Sequence, residues 1–249
     1  MAERAYFELC RVLGRLLRSV TYSNVRVASH EVRKHRSFYA PALIWASDAL
    51  VRILDAGVRV LPQREWEARE GAIYRSLYDA SIRIDAGGTL VLPRLPGTTL
   101  AALLEDQTQD DSVRKRGIES AAVALAELHH RGFTHADAMA ENVLVDTGAG
   151  VARWFDFETI HDERPNDWQR ADDLRALLVT CLLRTAPEEV DLTLQHILDA
   201  YRDEGVARLL HPSFTSVWRR PLIYHLSQAA LPFRTFRDLG RLLRQRHGR

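Results

Sequence analysis

With 249 residues, 46% of them hydrophobic and 27% charged, the chain has the makeup of a globular protein. It is long enough to bury roughly 70–75% of its unfolded surface, as one large domain or two small lobes. A formal net charge of +1 gives no general attraction to polyanions and argues against nucleic acid as a partner. Cys10 and Cys181, the two cysteines, fall in apolar helical patterns, where a thiol usually behaves as a small core residue, so neither a disulfide nor a metal site is expected. Arginines interrupt the apolar N-terminal residues, and no run of ~18 uncharged apolar residues occurs. The expected location is the cytoplasm.

In chain order, Tyr6, Leu9, Leu13, Leu16, Leu17 and Val20 recur at three- and four-residue spacings, which predicts an amphipathic helix over 4–20 with arginines on its other face. Between 40 and 62 the texture shifts to short runs, Ala42–Trp45, Leu50–Leu54 and Val58–Leu61, which predict strands. Asp55-Ala-Gly57 suggests a hairpin between the last two. A charged helix is expected at 64–78, then a strand pair, Ser81–Ile84 and Thr89–Leu92, about the turn Asp85–Gly88. After Pro96-Gly97 the pattern is helical except for a short stretch at 143–157. This order gives an α+β protein of two lobes: residues 1–95 with the sheet and the helix that carries Glu70, then a mostly helical lobe over 96–249.

The segment richest in chemistry follows an Ala-rich helix at 112–131, where Gly132 suits a C-cap. It contains Thr134-His135-Ala136-Asp137, then Glu141-Asn142, an apolar strand, a turn, and a second strand running into Phe155-Asp156-Phe157-Glu158. An Asp and an Asn five residues apart, ahead of a hairpin that ends in Asp, is a pattern suited to phosphoryl transfer. That reaction needs a carboxylate to orient the attacking hydroxyl, and hard oxygen ligands for Mg²⁺. A hairpin suits the task, because Asp137 and Asn142 precede its first strand while Asp156 follows its second, so all three reach one edge.

These residues resemble the protein-kinase-like superfamily and, within it, the branch of aminoglycoside phosphotransferases, choline kinases and lipopolysaccharide core-sugar kinases, over residues 40–180. The resemblance implies a two-lobed kinase fold with ATP and Mg²⁺ as cofactors. It makes Asp137 the substrate-orienting carboxylate, Asn142 and Asp156 metal ligands joined by Glu158, and His135 a residue that holds the loop. Asp173, or next to it Asp172, would bond back to the loop from the following helix. Thr89–Leu100 resembles the hinge, placing Leu92, Arg94 and Leu95 beside the adenine. Glu70, with Glu67 as the fallback, would anchor the phosphate-binding lysine. Sixteen residues separate Asp156 from Asp173, less than a protein-kinase activation segment needs, so the implied acceptor is a small hydroxyl compound or a sugar of a surface glycan.

The family's lysine is the difficult assignment, since Lys34 and Lys115 are the only lysines. With strands at 42–61, the position falls to Arg59, or to Arg52 one strand back; Lys34 reaches the site only on a different strand count. Arginine keeps the charge but not the shape, and no Gly-rich loop precedes residue 55. A pseudokinase acting as a nucleotide-binding or regulatory module is therefore the alternative. The basic amphipathic ends, 4–20 and 233–249, suggest either helices that cover the lobes or contact with anionic lipid at the inner membrane face.

Overall fold

The structure is a computed structural model and describes residues 23–53, 57–85, 88–161, 166–214 and 231–247, with Arg4, Ala5 and Glu8. Most of the expected helix over 4–20, with Cys10, lies outside the described residues.

Strands β1 (Ser23–Val27) and β2 (Glu31–Arg36) form a hairpin, and β2 also pairs with β5 (Leu90–Pro93). With β4 (Arg83–Ile84) they make an antiparallel sheet of order β1-β2-β5-β4. The β4–β5 turn forms where its residues placed it: Asp85 Oδ1 accepts from Thr89 N at 3.0 Å, and Gly88 sits at φ +72°. In β2, side chains alternate between faces. Lys34 and Arg36 point inward and are buried, while the alternate residues Arg33 and His35 are exposed.

The strands expected at 42–45 and 50–54 do not form. That stretch is a helix, α1 (Ala40–Ile53). Short apolar runs do not distinguish strand from helix, and Pro41 decides the matter, because its fixed φ suits the first turn of a helix. Tyr39 O accepts from Leu43 N at 3.0 Å to close that turn. The hairpin about 55–57 is lost with it: β3 (Val58–Val60) pairs instead with a distant strand, β9 (Thr159–His161).

Helix α2 (Gln63–Tyr78) lies where the sequence put it and buries Trp66, Glu70, Ile73 and Tyr74 on one face. Its middle and its C-terminal end are tied to the second lobe. Arg69 donates to Thr134 O, and Tyr78 Oη donates to Trp154 O at 2.6 Å.

Beyond Pro96, β6 (Thr98–Thr99) joins the hairpin β7 (Val143–Asp146) and β8 (Val151–Trp154) in a three-stranded sheet, β6-β7-β8. Gly97, at φ +116°, permits this approach: a Cβ there would stand 2.7 Å from the Val145 carbonyl. Helices α3 (Leu100–Glu105) and α4 (Asp111–His130) pack on it, and α5 (Asn166–Leu182), α6 (Val190–Tyr201), α7 (Glu204–Ser213) and α8 (Phe233–His247) pack on α4 and on one another. Leu125 and Leu128 of α4 are fully buried, each contributing about 1.5–3 kcal/mol. Gly132 ends α4 at φ +82°, donating to His129 O, while Phe133 N reaches Leu128 O at 3.1 Å. In α8 the apolar stripe of Phe236, Leu239 and Leu243 is spent on the core, where Phe236 meets Phe214. Among the described residues no helix is long and apolar enough to cross a membrane.

Candidate active site

The chain leaving α4 enters the loop 134–142, which α5 holds from behind. The buried Asp173 carboxylate accepts from His135 N at 2.6 Å and Ala136 N at 2.7 Å, and from His129 Nε2 at 2.9 Å. Burial works to raise the Asp173 pKa, but His161 and His129 outweigh it and hold the carboxyl at about 2. Ala140 N donates to Thr180 Oγ1, a second bond from α5. Ala136 needs this support because its φ of +65° is disfavoured for a residue with a Cβ. His135 stands between Trp154 and Phe157, with ring centroids at 5.2 and 4.7 Å, and donates from Nε2 to Phe155 O at 2.9 Å. Burial presses its pKa down to about 4, so it is an uncharged spacer between loop and hairpin.

Asp137 and Asn142 meet at the mouth of the β7–β8 hairpin. Asn142 Nδ2 donates to Asp137 Oδ2 and to Asp137 O, both at 2.9 Å, which leaves its Oδ1 free to accept. Phe155 N donates to Asn142 O at 3.0 Å. That bond extends the hairpin by one pair and delivers Asp156 to the same edge. Burial and then the nearby Asp156 charge push the Asp137 pKa up to about 7, while the Asn142 amide opposes them.

Lys34, not Arg59, is the cation bonded to Asp156 and Glu70. Its Nζ lies 2.7 Å from Asp156 Oδ1 and 3.1 Å from Glu70 Oε1. Burial alone would lower its pKa, yet the Glu70 and Asp156 charges reverse that and keep it protonated. Glu70 is fully buried and also accepts from Trp66 Nε1. The correction follows from α1: with residues 40–53 helical, β2 becomes the strand beside the hinge strand β5, with Lys34 opposite Leu90. Arg59 sits on β3 and pairs at 3.2 Å with Glu65, both side chains well exposed. The Arg52 side chain lies outside the described residues. Glu67 is occupied by Gln63 Nε2.

Two further features, an apolar wall and the Arg36–Glu158 pair, were not read from the sequence. Val25 and Val27, 53% and 63% exposed, stand opposite Lys34 and Val32 in the β1–β2 register. They form an apolar wall on the Lys34 face. At the hinge Leu92 is buried and Arg94 N donates to His30 O. Between Pro93 and Pro96, which have no N–H, Leu95 therefore carries the remaining backbone donor. Glu158, the third expected metal ligand, lies 3.1 Å from Arg36 Nη1. Alternation along β2 was the available signal, since Val32, Lys34 and Arg36 form one face.

Among the described residues no group of three or more His, Cys, Asp or Glu is placed to hold a metal ion. Asn142 Oδ1 with the Asp156 carboxylate, which is 37% exposed, still fits Mg²⁺, a cation that keeps several waters and takes few protein ligands.

A lysine held by a helix glutamate, above an Asp-Asn loop and a hairpin-end Asp, defines a protein-kinase-like phosphotransferase fold. Residues 88–201, just under half of the chain, match the model of the lipopolysaccharide kinase (Kdo/WaaP) family. The match bears out the resemblance to the small-molecule kinase branch. No curated protein sequence matches significantly. Among solved structures, the bifunctional kinase-methyltransferase WbdD is similar at 18% identity and a TM-score of 0.44, over 85% of this chain and 43% of that one. The chain thus spans less than half the length of that protein.

Proposed function

We propose that the protein transfers phosphate from ATP, with Mg²⁺, to a hydroxyl of a sugar in lipopolysaccharide or a related surface glycan. The observation that carries this reading is the meeting of Asp137, Asn142 and Asp156 at one hairpin end, with Lys34 bonded to Asp156. The sugar acceptor is supported by the family that residues 88–201 match.

In this reading the adenine lies against Val25, Val27 and Val32, its edge toward the Leu95 backbone, and Lys34 takes the phosphates with Glu70 holding it in place. Asn142 and Asp156 hold Mg²⁺, which neutralises phosphate charge when bound. Asp137 orients the acceptor hydroxyl and receives its proton at Oδ1 or Oδ2, while the Asn142 amide fixes the rotamer of that carboxyl. His135 and Asp173 position the loop and touch no substrate. The pseudokinase alternative rested on a missing lysine, and the bonds of Lys34 to Glu70 and Asp156 support the kinase reading over it.

Asp137→Asn tests the assignment. With lipopolysaccharide or its deacylated core oligosaccharide as acceptor, transfer of labelled γ-phosphate should fall by about 10²–10⁴. Thermal stabilisation by Mg²⁺-ATP should stay near wild type. Transfer at the parental rate would remove Asp137 from the mechanism, and a wild type that neither binds ATP nor phosphorylates any glycan would end the proposal.

A further inference from the structure

Asp156 is strained: its φ is +70°, although it carries a side chain and stands at the end of β8. A non-glycine residue keeps that conformation only where its neighbours are held on both sides. On one side Phe155 N is bonded to Asn142 O. On the other, Leu61 N donates to Glu158 O at 2.8 Å, and β9 then runs antiparallel to β3. The side chain of Glu158 is held as well. Arg36 Nη1 lies 3.1 Å from Glu158 Oε2, its Nη2 donates to Leu61 O at 3.0 Å, and its guanidinium stacks 4.6 Å from the centroid of Trp66. Arg36 is 8% exposed and the Glu158 side chain 13%, so neither charge has bulk water as an alternative partner.

The two pairs form a ladder. Lys34 and Arg36, two residues apart on one face of β2, meet Asp156 and Glu158, two residues apart on the segment that crosses beneath. We infer that Arg36 is a positioning residue for Asp156, acting through Glu158, and that Glu158 is committed to Arg36 and is not a metal ligand. Only Asn142 and Asp156 then face the metal. Arg36 touches neither nucleotide nor acceptor; it fixes the far side of the turn on which Asp156 is presented. The inference rests on the proposed Mg²⁺-ATP site and deepens it.

The test is the thermal stabilisation of the full chain at fixed ATP while Mg²⁺ is titrated, a binding readout that needs no acceptor. Arg36→Ala and Glu158→Ala should each raise the Mg²⁺ concentration for half-maximal stabilisation about tenfold, the scale for groups that orient a metal ligand. The double variant Arg36→Ala/Glu158→Ala leaves no buried charge unpaired and should show no more than either single change. Arg36→Lys keeps the cation without the forked grip and should fall between. Stabilisation by ATP without Mg²⁺ should stay within about twofold of wild type throughout, which a general loss of structure would not allow. If Glu158 ligates the metal, Glu158→Ala will raise the requirement far more than Arg36→Ala, and Arg36→Ala will lower it by freeing an acid. Either result, or an Arg36→Ala titration identical to wild type, overturns the inference and leaves the kinase reading standing. A wild-type protein whose ATP response ignores Mg²⁺ overturns both.

Discussion

The two halves of the site are held by different kinds of bond. On the C-terminal side Asp173 grips the main chain at His135 and Ala136, and Thr180 grips it at Ala140. On the N-terminal side the charged contacts are between side chains, Lys34 with Glu70 and Asp156, and Arg36 with Glu158. Main-chain amides buried against a carboxylate have no water to turn to, so these bonds hold the loop tightly. An ion pair can exchange, and the Lys34–Asp156 pair is the one a phosphate and a divalent cation would separate. One half is scaffold; the other is prepared to rearrange.

That contrast is broken first at Asp173. Asp173→Ala strands two buried amides at about 1–3 kcal/mol each and removes the partner of His129, so unfolding in urea should show a loss of about 4 kcal/mol. A loss below 1 kcal/mol would mean that the loop does not depend on this carboxylate. Next is Lys34→Met, which leaves Glu70 buried without its cation. Burial already raises the Glu70 pKa, and uptake of a proton there limits the cost to about 3 kcal/mol. The same change should remove stabilisation by Mg²⁺-ATP, whereas Arg59→Ala, at an exposed pair, should leave both stability and ATP response within about 0.5 kcal/mol of wild type. The reverse outcome would return the phosphate to Arg59.

A smaller effect separates the halves by pH. His135 has a folded pKa of about 4 against 6.5 when free. Between those values the unfolded chain takes up a proton that the folded chain refuses. Its contribution therefore weakens as pH falls from 6.5 and levels near 4, at most about 3 kcal/mol in all. Asp173, held at about 2, contributes above the ordinary carboxylate range and loses that contribution only as pH falls toward 2. Asp137, Glu70 and Glu158 are pushed upward and act in the opposite sense. The quantity to measure is hence the stability difference between wild type and His135→Gln, which should shift against wild type from pH 6.5 to 4. A difference flat across that window would mean that His135 titrates normally.

The same division explains what could be read from the residues. Asp137, Asn142 and Asp156 lie within 20 positions of one another, joined by a hairpin whose strands and turn are locally encoded, so their meeting was legible. Gly132 and the hinge segment were local in the same sense, and the β4–β5 turn formed as its Asp and Gly required. Lys34 reaches Asp156 across a separation of 122 residues, and that contact depends on how many strands lie between. One misread stretch, 40–53, moved the count and gave Arg59 a role that geometry denies it. The run Ala42–Trp45 carries no periodicity long enough to decide between helix and strand, whereas Pro41 did carry the information. The β3–β9 pair left no local trace, and alternation along β2 marks Arg36 as inward-facing but does not name Glu158 as its partner.

The smallest change tests whether the scaffold half is under load. Ala136 holds φ +65°, at a cost of about 1–2 kcal/mol for a residue with a Cβ. Ala136→Gly removes that strain but frees the unfolded chain by about 0.4–1 kcal/mol, so the net gain should be about 0.5 kcal/mol in the wild type. In an Asp173→Ala background the bond that holds the strained amide is gone, and glycine should recover more, about 1 kcal/mol. A double-mutant cycle on urea midpoints measures the difference. Equal gains in both backgrounds would show that the backbone of Ala136 is set by the packing of Ala138 and His135, and that Asp173 binds a loop already shaped without it.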